Sequence, residues 1–196
     1  MELPVYQIVI DDKEQGAFAM SLVDSPATLC SFQYFSKDEP MKFAVESEEK
    51  HLCTGVFMLA DTKIYRRSED GTEYYVVFSK DVLRQIAQNF LGNGFQNNVD
   101  QNHDFNYIDG VYLQELFVKD VERGIDPKAF SNTPDGTLFC TYHIENEEVW
   151  QKVKDGTFKG YSLEGVFNVE EAFSDAEEQL YNECVELIEK IKNKIK

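Results

Sequence analysis

The chain has 196 residues, 42% of them hydrophobic and 13% aromatic, and a formal net charge of −17. That length and apolar content suit one globular domain with a core of its own and exclude a disordered chain. The negative charge works against nucleic acid or an anionic membrane surface as a partner and favours solubility. No run approaches the ~20 apolar residues of a membrane-spanning helix. Met1-Glu2-Leu3-Pro4 also lacks the basic-then-apolar start of a signal peptide, so a cytoplasmic protein is expected. Cys30, Cys53, Cys140 and Cys184 form no CxxC pair, which points to reduced, packed thiols rather than zinc or redox chemistry.

In chain order, residues 5–10 alternate weakly and predict a strand. Residues 16–23 predict a second, closed by Asp24-Ser25-Pro26. Residues 31–35 suggest a third, followed by 42–45 and 52–60. Residues 63–66 and 73–78 flank Ser68-Glu69-Asp70-Gly71, a hairpin turn. Ser79 is placed to cap a helix in which Val82, Leu83, Ile86, Ala87 and Phe90 share a face and which Gly92 ends. Residues 92–109 are rich in Asn, Asp and Gly and read as loop. Residues 110–118 and 137–144 read as strands. Asn146 caps a short helix that stops at Gly156, and residues 161–169 read as one further strand.

The last segment differs. Ser174 and Glu177 form a capping box, and Leu180, Cys184, Leu187, Ile188, Ile191 and Ile195 make one apolar stripe. The spacing predicts an amphipathic C-terminal helix that packs on the domain or on a partner, so a homo-oligomer through this helix is an open expectation. The division expected is a domain over 1–170 and the helical segment 171–196. Many strands with a few interspersed helices predict an α+β fold built on a mainly antiparallel sheet or barrel.

Two segments carry candidate chemistry. Ser162 lies in a strand between Gly160 and Gly165 and shares a strand face with Glu164. His103 stands between Asn102 and Asp104 in the polar stretch, where catalytic groups collect and where an imidazole suits a general base. His51 follows Glu48-Glu49-Lys50 and reads as solvated; His143 lies in a strand and reads as a packing or cross-strand residue. A serine and a distant histidine are the raw material of a nucleophile and its base. A surface serine and a loop histidine are the plainer reading of the same residues. Asp100, His103 and Asp104 are a weak metal set. Gly92-Asn93-Gly94 lacks the lysine and hydroxyl of a phosphate-binding loop. No cofactor is expected.

The stretch Val149-Trp150-Gln151-Lys152-Val153-Lys154-Asp155-Gly156 with Gly160-Tyr161-Ser162-Leu163-Glu164-Gly165 resembles the nucleophile region of phage prohead maturation proteases, above all their XkdF-type branch. Asn102-His103-Asp104 resembles the histidine segment of that family. Met20-Ser21-Leu22-Val23-Asp24-Ser25-Pro26-Ala27 resembles its SLVD-x-PA element, and Ile64-Tyr65-Arg66 and Val77-Phe78-Ser79 also agree with the branch.

The resemblance implies a fold similar to the herpesvirus assemblin proteases, a β-barrel wrapped by helices. It implies an enzyme that cleaves scaffold and major capsid proteins inside an assembling procapsid in the bacterial cytoplasm. Ser162 would be the nucleophile and His103 the base, with backbone N–H groups on the oxyanion. The SLVD-x-PA element here precedes the serine strand, as in a permuted arrangement. The acid that relatives carry two residues before the serine of that element is replaced by Ala19. Glu164 is the first substitute, then Asp104 and Asp24, and a Ser/His dyad is the remaining option. A non-enzymatic capsid-assembly or scaffold-docking protein with a protease-like fold is the alternative function, and a small-molecule hydrolase using the same dyad is a weaker one.

Overall fold

A computed structural model of the chain describes residues 3–11, 15–25, 44–47, 50–68 and 70–171, and among these strands outweigh helices. The described strands are β1 (Val5–Val9), β2 (Gly16–Val23), β3 (Ala44–Ser47), β4 (Leu52–Met58), β5 (Ile64–Arg67), β6 (Glu73–Val77), β7 (Val99–Gln101), β8 (Val111–Val118), β9 (Leu138–Ile144), β10 (Gly160–Val166) and β11 (Asn168–Glu171). Two helices interrupt them, α1 (Lys80–Gly92) and α2 (Glu147–Lys154). None of the described helices is long and apolar enough to cross a membrane.

The fold is α+β, as the element pattern predicts, but the expected barrel is corrected. The described strands form three sheets, ordered β11-β1-β6-β5, β10-β2-β7 and β3-β4-β9-β8, with no closed barrel among them. Closure needs an unbroken ladder, and each sheet instead ends on two edge strands. Two pairings are parallel, β1 with β6 and β2 with β7; the others are antiparallel. The strand expected over 31–35 and the C-terminal helix over 174–196 lie outside the described residues.

The serine strand is two strands rather than one. β10 pairs with β2 and β11 with β1, both antiparallel, so the same two chain segments form two successive ladders. The chain leaves the first ladder at Phe167, whose ring meets Phe78 edge-on at 5.5 Å. Gly165 permits the corner, because a Cβ there would lie 2.6 Å from the Gly16 carbonyl oxygen.

Helix α1 buries Leu83, Ile86 and Phe90, a stripe at helical spacing. Each buried side chain of this kind contributes ~1.5–3 kcal/mol before chain entropy is counted. The Ser79 hydroxyl accepts the Val82 N–H at 3.3 Å, so the cap is where the sequence puts it. The helix ends one residue later than expected: Gly92 is still helical, Asn93 caps it, and Gly94 takes the left-handed conformation at φ 77°. Helix α2 is capped by the Asn146 side chain at 3.1 Å and buries Val149, Trp150 and Val153. Both helices and all three sheets share one core, in which Met20, Leu22, Phe57, Tyr142, Trp150 and Tyr161 are almost wholly inaccessible.

Candidate active site

Strand β2 is the centre of the three-stranded sheet and has two different faces. Met20 and Leu22 point into the core, and so do their β10 neighbours Tyr161 and Leu163. Alternation puts Ala19 and Ser21 on the other face with Ser162 and Glu164 of β10. The register is direct, with Ser162 opposite Ser21 and Glu164 opposite Ala19. On the other flank β7 sets Asp100 opposite Ser21. One sheet face therefore carries Asp100, Ser21, Ala19, Ser162 and Glu164.

The loop after β7 brings His103 onto this face. Its Nδ1 lies 2.8 Å from Glu164 Oε1, and its backbone N–H donates to Ser21 Oγ at 2.9 Å. The turn is tight: Asn102 and His103 are both left-handed, at φ 50° and 60°. Such residues cost roughly 1–2 kcal/mol each unless the surroundings impose them. Here they do. The Asn102 N–H donates to the Leu22 carbonyl at 2.9 Å, its Oδ1 accepts from the Asp24 N–H at 3.3 Å, and the Asp104 N–H donates to the Gln101 carbonyl at 3.1 Å. The Asp100 carboxylate accepts the Phe105 N–H at 2.7 Å, which pins the far side of the loop.

The acid behind the ring is Glu164. It is only 6% exposed; Ser162 is half-buried, and the His103 side chain is 42% exposed. Burial pushes the Glu164 carboxyl above the usual glutamate range, the His103 hydrogen bond pulls it back, and the neighbouring Asp100 pushes it up again. As a carboxylate, Glu164 accepts only, so Nδ1 carries the proton and Nε2 is the free acceptor. Ser162 and Glu164 are two residues apart on one strand, about 6.6 Å between Cα atoms. The ring that Glu164 holds at Nδ1 is thus on the face that bears Ser162, and among the described residues no hydrogen bond joins it to Ser162 itself. The other two acids have other surroundings. Asp104 Oδ1 accepts the Asn106 N–H at 2.8 Å, a local turn contact, and Asp24 lies in an exposed bend.

The absence of an acid at Ala19 has a geometric reading. Position 19 is the cross-strand partner of position 164, so a carboxylate from either strand reaches the same place. Acids at both would put like charges directly opposite each other, which is destabilising. The small Ala19 leaves that space to Glu164. A register shift falls between Glu164 and Gly165, where Phe18 of β2 is the extra residue, and the Phe18 carbonyl accepts from Asn98 Nδ2 at 2.9 Å. Bulges of this sort re-aim neighbouring side chains.

The remaining histidines are elsewhere. His143 pairs across the ladder with Tyr112, whose hydroxyl lies 2.6 Å from its Nδ1, a cross-strand role. His51 is not simply solvated: it stacks on Trp150 at 4.8 Å and its Nδ1 lies 3.0 Å from the Ile144 carbonyl. No cluster able to hold a metal occurs among the described residues. Sequence reading weighed Asp100 only as a weak metal ligand and gave Ser21 no role in the site. Asp100 sits in a three-residue strand within a stretch that reads as loop, and one apolar residue, Val99, is too little signal to reveal it.

These features define a class: an α+β domain whose sheet face presents a serine, a histidine and a buried acid, the group types of a serine hydrolase. The chain belongs to the family described as Putative phage serine protease XkdF, whose model matches residues 41–171. The matched segment includes Asp100, His103, Ser162 and Glu164 and excludes β1 and β2. Neither a curated protein nor a solved structure matches the chain.

Proposed function

We propose that the protein is a serine endopeptidase that processes scaffold and major capsid proteins during phage procapsid maturation, inside the assembling particle in the host cytoplasm. The observation that carries this reading is the 2.8 Å contact from His103 Nδ1 to Glu164 Oε1 on the face that bears Ser162. In this reading Ser162 attacks the peptide carbonyl, and His103 Nε2 takes its proton and later passes it to the leaving amine. Glu164 fixes the tautomer and stabilises the imidazolium that forms. The exposure of His103 leaves the set open to an extended polypeptide.

The test is co-expression with the scaffold and capsid proteins of the same phage. Ser162→Ala and His103→Ala should each abolish processing while retaining the far-ultraviolet spectrum and melting behaviour of the parent. Undiminished cleavage by the Ser162→Ala protein would refute the assignment. Normal particle assembly without any cleavage, in parent and variant alike, would favour the non-enzymatic assembly role.

A further inference from the structure

We propose that Asp100 and Glu164 share a single proton, so that Asp100 is a positioning residue: it engages one oxygen of Glu164 and leaves the other to orient His103. The inference deepens the catalytic reading of Ser162, His103 and Glu164 and rests on it.

The two acids come from strands on either side of β2 and are offset by two residues along it, so their backbones lie ~11–12 Å apart. Both stand on the sheet face where β2 carries the small residues Ala19 and Ser21 between them. Asp100 is wholly buried and Glu164 nearly so. Each carboxyl has one oxygen committed: Asp100 Oδ2 accepts the Phe105 N–H at 2.7 Å, and Glu164 Oε1 meets His103 at 2.8 Å. The other two, Asp100 Oδ1 and Glu164 Oε2, are buried, and no protein donor reaches either. The Asp100 carboxyl bears on that of Glu164 and pushes it up.

Two ionised carboxylates hold only acceptors and would repel at this range. One proton turns the pair into donor and acceptor and satisfies both orphaned oxygens. The titratable groups bearing on Glu164 are Asp100 on β7, His103 in the following loop, and Tyr107 further along that loop. None of these three is a lysine or arginine that could neutralise a second negative charge. The pair therefore titrates as a unit and presents one negative charge to His103. The same carboxyl of Asp100 anchors the His103 loop through the Phe105 N–H, so one side chain fixes both the acid and the base.

The test is nuclear magnetic resonance on Ser162→Ala protein, which cannot cleave itself by the proposed route. With carboxyl-carbon labels on Asp and Glu, the pair should show one titration step in the ordinary carboxylate range and one well above it. Two steps both below about pH 5 would overturn the proposal. In the same background, Asp100→Asn should leave the His103 ring titration within about 0.3 unit, because the carboxamide imitates the protonated acid. If both acids were ionised, the substitution would remove a charge and lower the His103 midpoint by roughly a unit or more. The label experiment needs no change at Asp100, so a poorly folding variant does not decide the outcome. Neither readout depends on turnover. If Ser162→Ala still cleaved, the protease assignment would fail while the shared proton stood; normal carboxyl titrations would do the reverse.

Discussion

Glu164→Gln separates what this residue does for the fold from what it does for the reaction. Glu164 folds with its carboxyl held above the unfolded value of 4.5, first by burial. A carboxyl raised on folding binds more protons in the native state. Its contribution to stability is therefore present in full below pH 4.5 and is lost as pH rises through the folded value. Each pH unit of that interval is worth about 1.4 kcal/mol, or ~3–5 °C of melting temperature in a chain of this size. Glutamine does not titrate. Its carboxamide can donate to Asp100 and still meet His103, so both sides of the site stay occupied. The variant should match the parent near pH 4.5 and melt higher at pH 8. Asp135, Glu148 and Asp155 shift the opposite way, held down by hydrogen bonds, so their own pH dependence falls at lower pH. Activity should move against stability, with kcat falling ~10²-fold or more, because a neutral partner does not stabilise the imidazolium as the carboxylate does. Thermal melts at pH 4.5 and 8, paired with cleavage of a scaffold fragment, measure both. A variant that melts lower than the parent at pH 8, or that cleaves at the parent's rate, would refute the reasoning.

Gly165→Ala should destabilise by ~1–3 kcal/mol in urea titration, because the new methyl group would meet the Gly16 carbonyl oxygen at 2.6 Å. Asn102→Val should lower both stability and kcat, since a β-branched residue resists the φ of 50° at which Asn102 delivers His103; measured turnover equal to the parent would count against that role for the turn. Lys119→Met should cost ~2–3 kcal/mol by calorimetry without altering cleavage. The Lys119 ammonium is buried among the Phe130, Ser131 and Thr133 carbonyls, at 3.4, 3.0 and 3.0 Å, and pairs with Asp126 at 3.0 Å; among the described residues none of these partners belongs to the Ser162 face. Tyr161→Phe should cost ~1 kcal/mol by losing its 2.8 Å bond to the Cys53 carbonyl.

Much of the local structure is legible in the chain. The bounds of β2, the Ser79 and Asn146 caps and the hairpin around Asp70-Gly71 follow from residue chemistry within a few positions of each element. So does the pairing of Ser162 and Glu164 on one face, because strand alternation has a fixed period of two. Sequence also singles out His103 among three histidines by its loop setting. Local pattern does not reveal a three-residue strand such as β7. Nor does it reveal the corner at Phe167, which exists because β11 leaves one sheet for another.

What the sequence by itself determined is the set of parts: a serine strand, a loop histidine, an α+β element pattern and a family. Tertiary structure decided which acid serves the histidine. That choice depends on register, which places position 19 opposite position 164, and on a parallel pairing that brings Asp100 to the far side of Ser21. Register and strand order are set by long-range packing of Met20, Leu22, Tyr161 and Leu163 into the common core. Residues about sixty and eighty positions from His103 in the chain thereby become its nearest chemical neighbours.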